Sequence, residues 1–271
     1  MSLPVSLLHE TCRLERVAPG VHERTVDRTW WGHEAQFGGY VQALALTAMG
    51  TELDDPSMSP VTNTMQFFRP FVEGRLRAEV SVERHGRTMA NVLARLFMDG
   101  KLSGLATAMF GARRAAAEFT AIAPPAAVRE GPPPPREDPI VPALGVPVHE
   151  RFAFYPRIGA FAVGAGDAHV GGWVRSRVPA PVDELTMVML GDLWIPAAYH
   201  HWRVPALAVS VEITTQFRAA YPREELAPDG PLFIELRTAG SIGGFVDEDY
   251  TVWSPSATLL AQGRQLRYVH A

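Results

Sequence analysis

The chain is nearly devoid of cysteine and lysine: Cys12 and Lys101 stand alone in 271 residues. One thiol cannot form an intrachain disulfide and suits a reducing compartment, so a cytoplasmic location is expected. Basic charge therefore falls to arginine. Lys and Arg together number 25 against 29 Asp and Glu, for a formal net charge of -4. The two signs are interspersed, and no basic stripe marks a nucleic-acid partner. Long uncharged apolar runs are also missing. The longest apolar stretch, TMVMLGDLWIPAAYHHW at 186–202, is interrupted by Asp192, Pro196, His200 and His201, so a membrane span is not expected. The opening MSLPVSLLHETCRLERV has no basic region leading into an apolar one, and the closing YVHA is no retention or peroxisomal address, so no targeting signal is expected. The adjacent His200 and His201 have no matching ligand cluster, and neither a metal nor a cofactor is expected.

What is present is 47% hydrophobic residues, enough to bury a full core. Proline is concentrated in 113–149, which includes APPAAVREGPPPPREDPIVPALGVPVHE and reads as an extended, polyproline-leaning connector between two halves, 1–112 and 150–271. In the first half, LRAEVSVERHG alternates Leu76, Ala78, Val80 and Val82 with polar neighbours, the period-two pattern of a half-buried strand. VTNTMQFFRPF, RTMANVLARLFMDG and KLSGLATAMFG flank it, with turns at Gly74, Gly86 and Gly100, which predicts an antiparallel meander. Ahead of it FGGYVQALALTAM predicts a helix opening at Gly38 and Gly39. The second half repeats the order: one apolar helix over about 183–202, then strand-like LAVSVEITTQFR, PLFIELRTAG, GGFVDEDYTVW and SATLLAQGRQLRYV. The expected fold is a duplicated α+β unit in which each sheet wraps its own helix.

Laying the halves on each other exposes a difference in chemistry. Gly38-Gly39 falls on Gly191-Asp192, Val61 on Ser210 and Ala108 on Gln265, so the second half carries polar residues where the first has Gly, Val and Ala. One polar site is expected, not two. A lone ionised carboxylate in an apolar helix costs several kcal/mol or more unless it is partnered, so Asp192 is either a site residue or a cap where Gly191 and Pro196 break the helix. Ser210 shares its strand parity with Glu212, Thr214 and Gln216, which by itself reads as a surface serine. Gln265 shares parity with Leu259, Ala261 and Gly263, a face with room for a ligand. Gly38 and Gly39 allow close backbone approach, and their amides could hold an anion or a developing oxyanion; a tight turn is the alternative. His33 and Glu34, adjacent in a loop, read as structural or rim residues.

FGGYVQALALTAM, QFFRPF and ERHGRTMANVLARLFMDGKLSGLATAMF, over residues 30–112, resemble the acyl-CoA thioesterase II family of double hotdog proteins. The second half resembles its second hotdog through GDLWIPA, SVEITTQFR and LLAQGRQLRYV. The resemblance implies two tandem antiparallel sheets, each wrapped around a long helix, and hydrolysis of acyl-CoA. It further implies a water oriented by Asp192, Ser210 and Gln265. The strand after Phe217 lacks the Arg-Pro pair that the first half has as Arg69-Pro70, which leaves Thr214 as an alternative to Ser210. Gly38 and Gly39 would meet the substrate carbonyl, and Phe67, Leu193 and Trp194 an acyl chain. Two other readings stand beside hydrolysis: a non-catalytic acyl-CoA or acyl-chain binding protein, and a hydratase, which would need a positioned histidine at a helix start. A homo-oligomer is compatible with paired hotdogs.

Overall fold

The alternating segments pair as the period-two pattern requires. A computed structural model describes residues 6–270 apart from 141, 143, 144, 204, 205 and 224. The first residues of the segment read as lacking a targeting signal, and Ala271 of the closing YVHA, lie outside the described residues. The first half contains α1 (Leu7–Cys12), β1 (Glu15–Ala18), β2 (Val21–Val26), α2 (Gly38–Leu53), β3 (Ser59–Phe67), β4 (Gly74–His85), β5 (Met89–Met98) and β6 (Lys101–Gly111). After it come α3 (Ala126–Glu130), β7 (Phe152–Ile158), β8 (His169–Ser176), α4 (Glu184–Gly191), α5 (Ala197–His201) and β9 (Leu207–Phe217). The chain closes with β10 (Leu232–Arg237), β11 (Ser241–Ile242), β12 (Phe245–Trp253) and β13 (Leu259–His270). Between β5 and β6, Asp99 and Gly100 both take positive φ, 47° and 77°, the mirror-image turn whose twist suits two tightly joined strands.

The two sheets meet edge to edge in one antiparallel path, β1-β2-β4-β5-β6-β3-β9-β13-β12-β10-β8-β7. Read outward from the β3–β9 seam, both halves follow the same strand order, and Thr64 pairs with Thr214 at the seam. The outer pairs β1–β2 and β7–β8 were not expected from the sequence: these short segments have weak alternation and lie ahead of each helix. Among the described residues no helix is long and apolar enough to cross a membrane.

Helix α2 is buried along most of its length, from Gly39 through Met49 apart from Thr47. It lies between the inner faces of the strands and α4. Leu44, Met49, Met65, Leu76, Leu96, Met187 and Met189 fill this core, each such side chain contributing roughly 1.5–3 kcal/mol by leaving water. A Cβ on Gly39 would stand 2.9 Å from both Met189 Cα and Val188 O, so glycine is what lets the two helices touch at backbone distance.

Two expectations need correction. The helix expected over 183–202 is two helices. Helix α4 ends at Gly191, where a Cβ would come within 2.6 Å of the Tyr250 hydroxyl, and α5 restarts after Pro196, which has no N–H for the carbonyl of residue 192. The proline-rich connector is also not extended throughout. Its helix α3 buries Ala127 and Val128 against Trp173, Phe233 and Trp253, a second small core separate from the one around α2 and α4.

Candidate active site

The break after Gly191 is what exposes Asp192 to partners. Asp192 caps α4 in a non-extended conformation (φ -110°, ψ -1°), so its side chain leaves the helix toward the start of α2. There the Gly39 amide donates to Asp192 Oδ2 at 3.1 Å, and a Cβ on Gly38 would stand 2.7 Å from the same oxygen. The positive pole of α2 thus faces a carboxylate with 7% of its surface exposed. This corrects one expectation: the Gly39 amide is engaged by Asp192 and is not free for a substrate oxygen. Phe67 lies beside Gly38, its Cζ 3.4 Å from where a Gly38 Cβ would be.

Strand register supplies the rest. Gln265 in β13 is opposite Ile213 in β9, and Arg267 is opposite Ser210, with Val211 left over as a bulge. The bulge reverses the parity of everything before it. Ser210 therefore shares the inner face with Arg267, while Glu212 pairs with the exposed Leu266. The surface reading of Ser210 from simple alternation fails for this reason. Gln265 Nε2 donates to Asp192 Oδ1 at 2.7 Å and also to Ser210 Oγ, and the serine hydroxyl donates to Asp192 Oδ1 at 3.4 Å.

Two charged residues complete the cluster without having been singled out from the sequence. Arg267 Nη2 donates to Gln265 Oε1 at 2.6 Å and to Glu248 Oε1 at 3.1 Å, and lies 3.5 Å from Asp192 Oδ1. Glu248, opposite Gln265 in β12, takes the Ala197 amide on Oε2 at 2.6 Å. Burial pushes the Glu248 carboxyl up, opposed by the charge of Arg267. Burial works against the charge on Arg267, but Glu248 and Asp192 outweigh it and hold the guanidinium above its ordinary value. A signal was available: Glu248 shares parity with Val246, Tyr250 and Val252, and Arg267 with Gln265, so both charges fall on faces that alternation assigns to the core.

Other candidates lie elsewhere. Thr214 is on the opposite face of β9 from Ile213 and Thr215, its hydroxyl 2.9 Å from that of Thr64 across the seam. Trp194 is buried in an aromatic cluster, its ring centroid 5.6 Å from Phe154 and 5.1 Å from Phe161. His33 and Glu34 are exposed in a turn closed by Gly32 and Ala35. Among the described residues no group of three or more His, Cys, Asp or Glu side chains is arranged to hold a metal ion.

The register also names the counterparts in the first half. β3 has the same bulge at Val61, so Pro60, not Val61, corresponds to Ser210; Ala108 corresponds to Gln265, Phe110 to Arg267 and Val92 to Glu248. Because α2 and α4 touch at Gly39 and Met189, the counterpart of Asp192, three residues past Met189, is Gln42 and not the Gly38-Gly39 pair. The first-half position is apolar apart from Gln42, whose Nε2 lies 3.3 Å from Asn63 O and 3.4 Å from Thr215 Oγ1.

Residues 27–111 match the acyl-CoA thioesterase N-terminal domain, and residues 124–269 the acyl-CoA thioesterase C-terminal domain. A hot dog fold protein of unknown function from Alicyclobacillus acidocaldarius superposes with a TM-score of 0.87 at 24% identity, covering 97% of this chain and 98% of that one. A putative thioesterase II from Thermobifida fusca gives 0.80 at 22% identity over 99% of each chain. An acyl-CoA thioesterase II from Mycobacterium marinum gives 0.74 at 18% identity, with 97% and 96% covered. At these identities the likeness concerns the fold. No curated protein matches the chain. With both domain models matched in order across the double hotdog, the chain belongs to the acyl-CoA thioesterase family and is a thioester hydrolase.

Proposed function

We propose that the enzyme hydrolyses acyl-CoA by a water that Asp192, Ser210 and Gln265 hold against the thioester carbonyl. The supporting observation is the convergence of these three side chains from α4, β9 and β13, at a place where the other half offers Gln42, Pro60 and Ala108. Asp192 accepts a proton from the water as its oxygen adds to the carbonyl carbon. The C–S bond of the tetrahedral intermediate then breaks, and the departing thiolate takes up the proton, leaving free acid and CoA. A thiolate leaves readily, so the site needs a base and a fixed water more than a strong acid. Ser210 and Gln265 supply that fixation by hydrogen bonds. The N-terminus of α2 provides a positive pole for charge moving from Asp192 and its water onto the carbonyl oxygen. Gly38 and Phe67 lie next to the carboxylate and would contact the start of the acyl group.

Asp192→Asn preserves shape and removes the base. Thiol release from acyl-CoAs of several chain lengths is expected to fall by about 100-fold or more, the scale of a positioned general base. Turnover equal to wild type would overturn the assignment. A wild-type protein that bound acyl-CoA saturably and released no thiol would instead be a binding protein of this fold.

A further inference from the structure

The buried charges behind the trio have no counterpart in the other half. Glu248 and Gln265 are fully buried and Arg267 is 5% exposed. At the equivalent places Val92 and Phe110 fill the same architecture with apolar atoms, so packing alone does not require an ion pair. A buried pair pays a desolvation penalty that its own attraction only roughly repays. Its presence only beside the polar trio points to a use there.

The geometry shows what that use is. Arginine can only donate, so the end of the Gln265 amide that meets Nη2 at 2.6 Å must be the oxygen. The NH2 end then has one direction left, toward Asp192 Oδ1 and Ser210 Oγ. The guanidinium is itself fixed: Glu248 Oε1 takes Nε at 3.2 Å and Nη2 at 3.1 Å, while Oε2 is tied to the Ala197 amide at the start of α5. A relay of hydrogen bonds therefore runs from the restart of the helix after Asp192, through Glu248 and Arg267, back to the amide that touches Asp192.

We propose that Glu248 and Arg267 are a positioning pair that locks the Gln265 amide in the single orientation able to hold Asp192, Ser210 and the attacking water together. The role rests on the trio being the hydrolytic site. Glu248 acts through Arg267, and Arg267 meets Gln265 most closely, at 2.6 Å, with longer contacts from Nη1 to Ser210 Oγ at 3.4 Å and from Nη2 to Asp192 Oδ1 at 3.5 Å.

The test transplants the other half's solution. The double variant Glu248→Val with Arg267→Phe removes Glu248 together with its arginine, so that Glu248 is not left buried and unpaired, while Asp192 keeps the Gly39 amide and Gln265 as partners. It is expected to fold, with kcat on acyl-CoA lowered by roughly 10- to 100-fold and KM changed less than about threefold. Arg267→Lys, a point charge without the planar fork, should fall between it and wild type. A second readout does not depend on turnover: in the 15N NMR spectrum the side-chain amide of Gln265 should give one slowly exchanging pair of protons in wild type, and multiple or rapidly exchanging signals in the double variant. An unchanged Gln265 signal in the double variant overturns the proposal whether or not kcat falls, since Arg267 also reaches Asp192 and Ser210 directly. Should the double variant fail to fold, an unchanged Gln265 signal in Arg267→Lys overturns it. A wild type that releases no thiol removes the hydrolytic reading, while the Gln265 signal still decides whether the pair positions the amide.

Discussion

The amide of Gly39 and Oδ2 of Asp192 are 3.1 Å apart across 153 residues of sequence, so the start of one half's helix and the end of the other's share one hydrogen bond. The site is thus a property of the joined halves. Substituting either of the paired glycines separates two effects, one on the site and one on the fold.

At Gly38, alanine would press a methyl group against the carboxylate end of Asp192, which can rotate away. Gly38→Ala is expected to fold with near-normal stability and to lose about tenfold or more in turnover, since an ångström of misplacement is costly. At Gly39 the obstacles are the backbone of Met189 and Val188, which cannot move aside alone. Gly39→Ala is expected to lower stability by about 1–3 kcal/mol, seen as a reduced urea midpoint. An unchanged midpoint would contradict the close crossing of α2 and α4.

Ser210 and Thr214 can be told apart by simple truncation. Ser210→Ala removes a hydroxyl that touches both Asp192 and Gln265, and turnover should fall by roughly 10-fold or more. Thr214→Ala removes a hydroxyl that faces Thr64 at the seam and should leave turnover within about twofold. The reverse ranking would mean that the bulge at Val211 does not set the working face of β9.

His149 gives the fold an acid limit. Its Nε2–H donates to the carbonyl of Leu193 at 3.1 Å, holding the turn that follows Asp192, and burial pushes its pKa down to about 4. The unfolded chain therefore binds a proton near pH 6.5 that the folded protein accepts only near pH 4. Its contribution to stability is fully present above about 6.5, declines as the pH falls, and is gone below about 4. His149→Gln, which can still donate to Leu193, should flatten the stability profile between these values in urea titrations at several pH values. A mutant profile parallel to that of wild type across this window would show that other groups govern acid unfolding.

Much of the chain was legible without coordinates because local alternation reports which face of a strand meets the core. The four strands β3 to β6, the helix opening at Gly38, and β9, β10, β12 and β13 all fall on the segments that the pattern marked, with β3, β4, the helix and β13 running one to four residues past their ends. Alternation fails where a strand gains a residue. Val211 has nothing in its own sequence to announce that Leu266 and Arg267 pair on either side of it, and this one bulge turns Ser210 inward.

The sequence by itself determined the duplicated order of helix and meander, and the contrast between a polar second half and an apolar first, because these follow from residue types and their period. Only the tertiary structure decided that α4 stops at Gly191 against the Tyr250 hydroxyl, that Asp192 meets the amide of Gly39, and that Glu248 and Arg267 stand behind Gln265. Those relations depend on strand register and on where two helices cross. Both are set by packing between segments far apart in the chain, which no local pattern encodes.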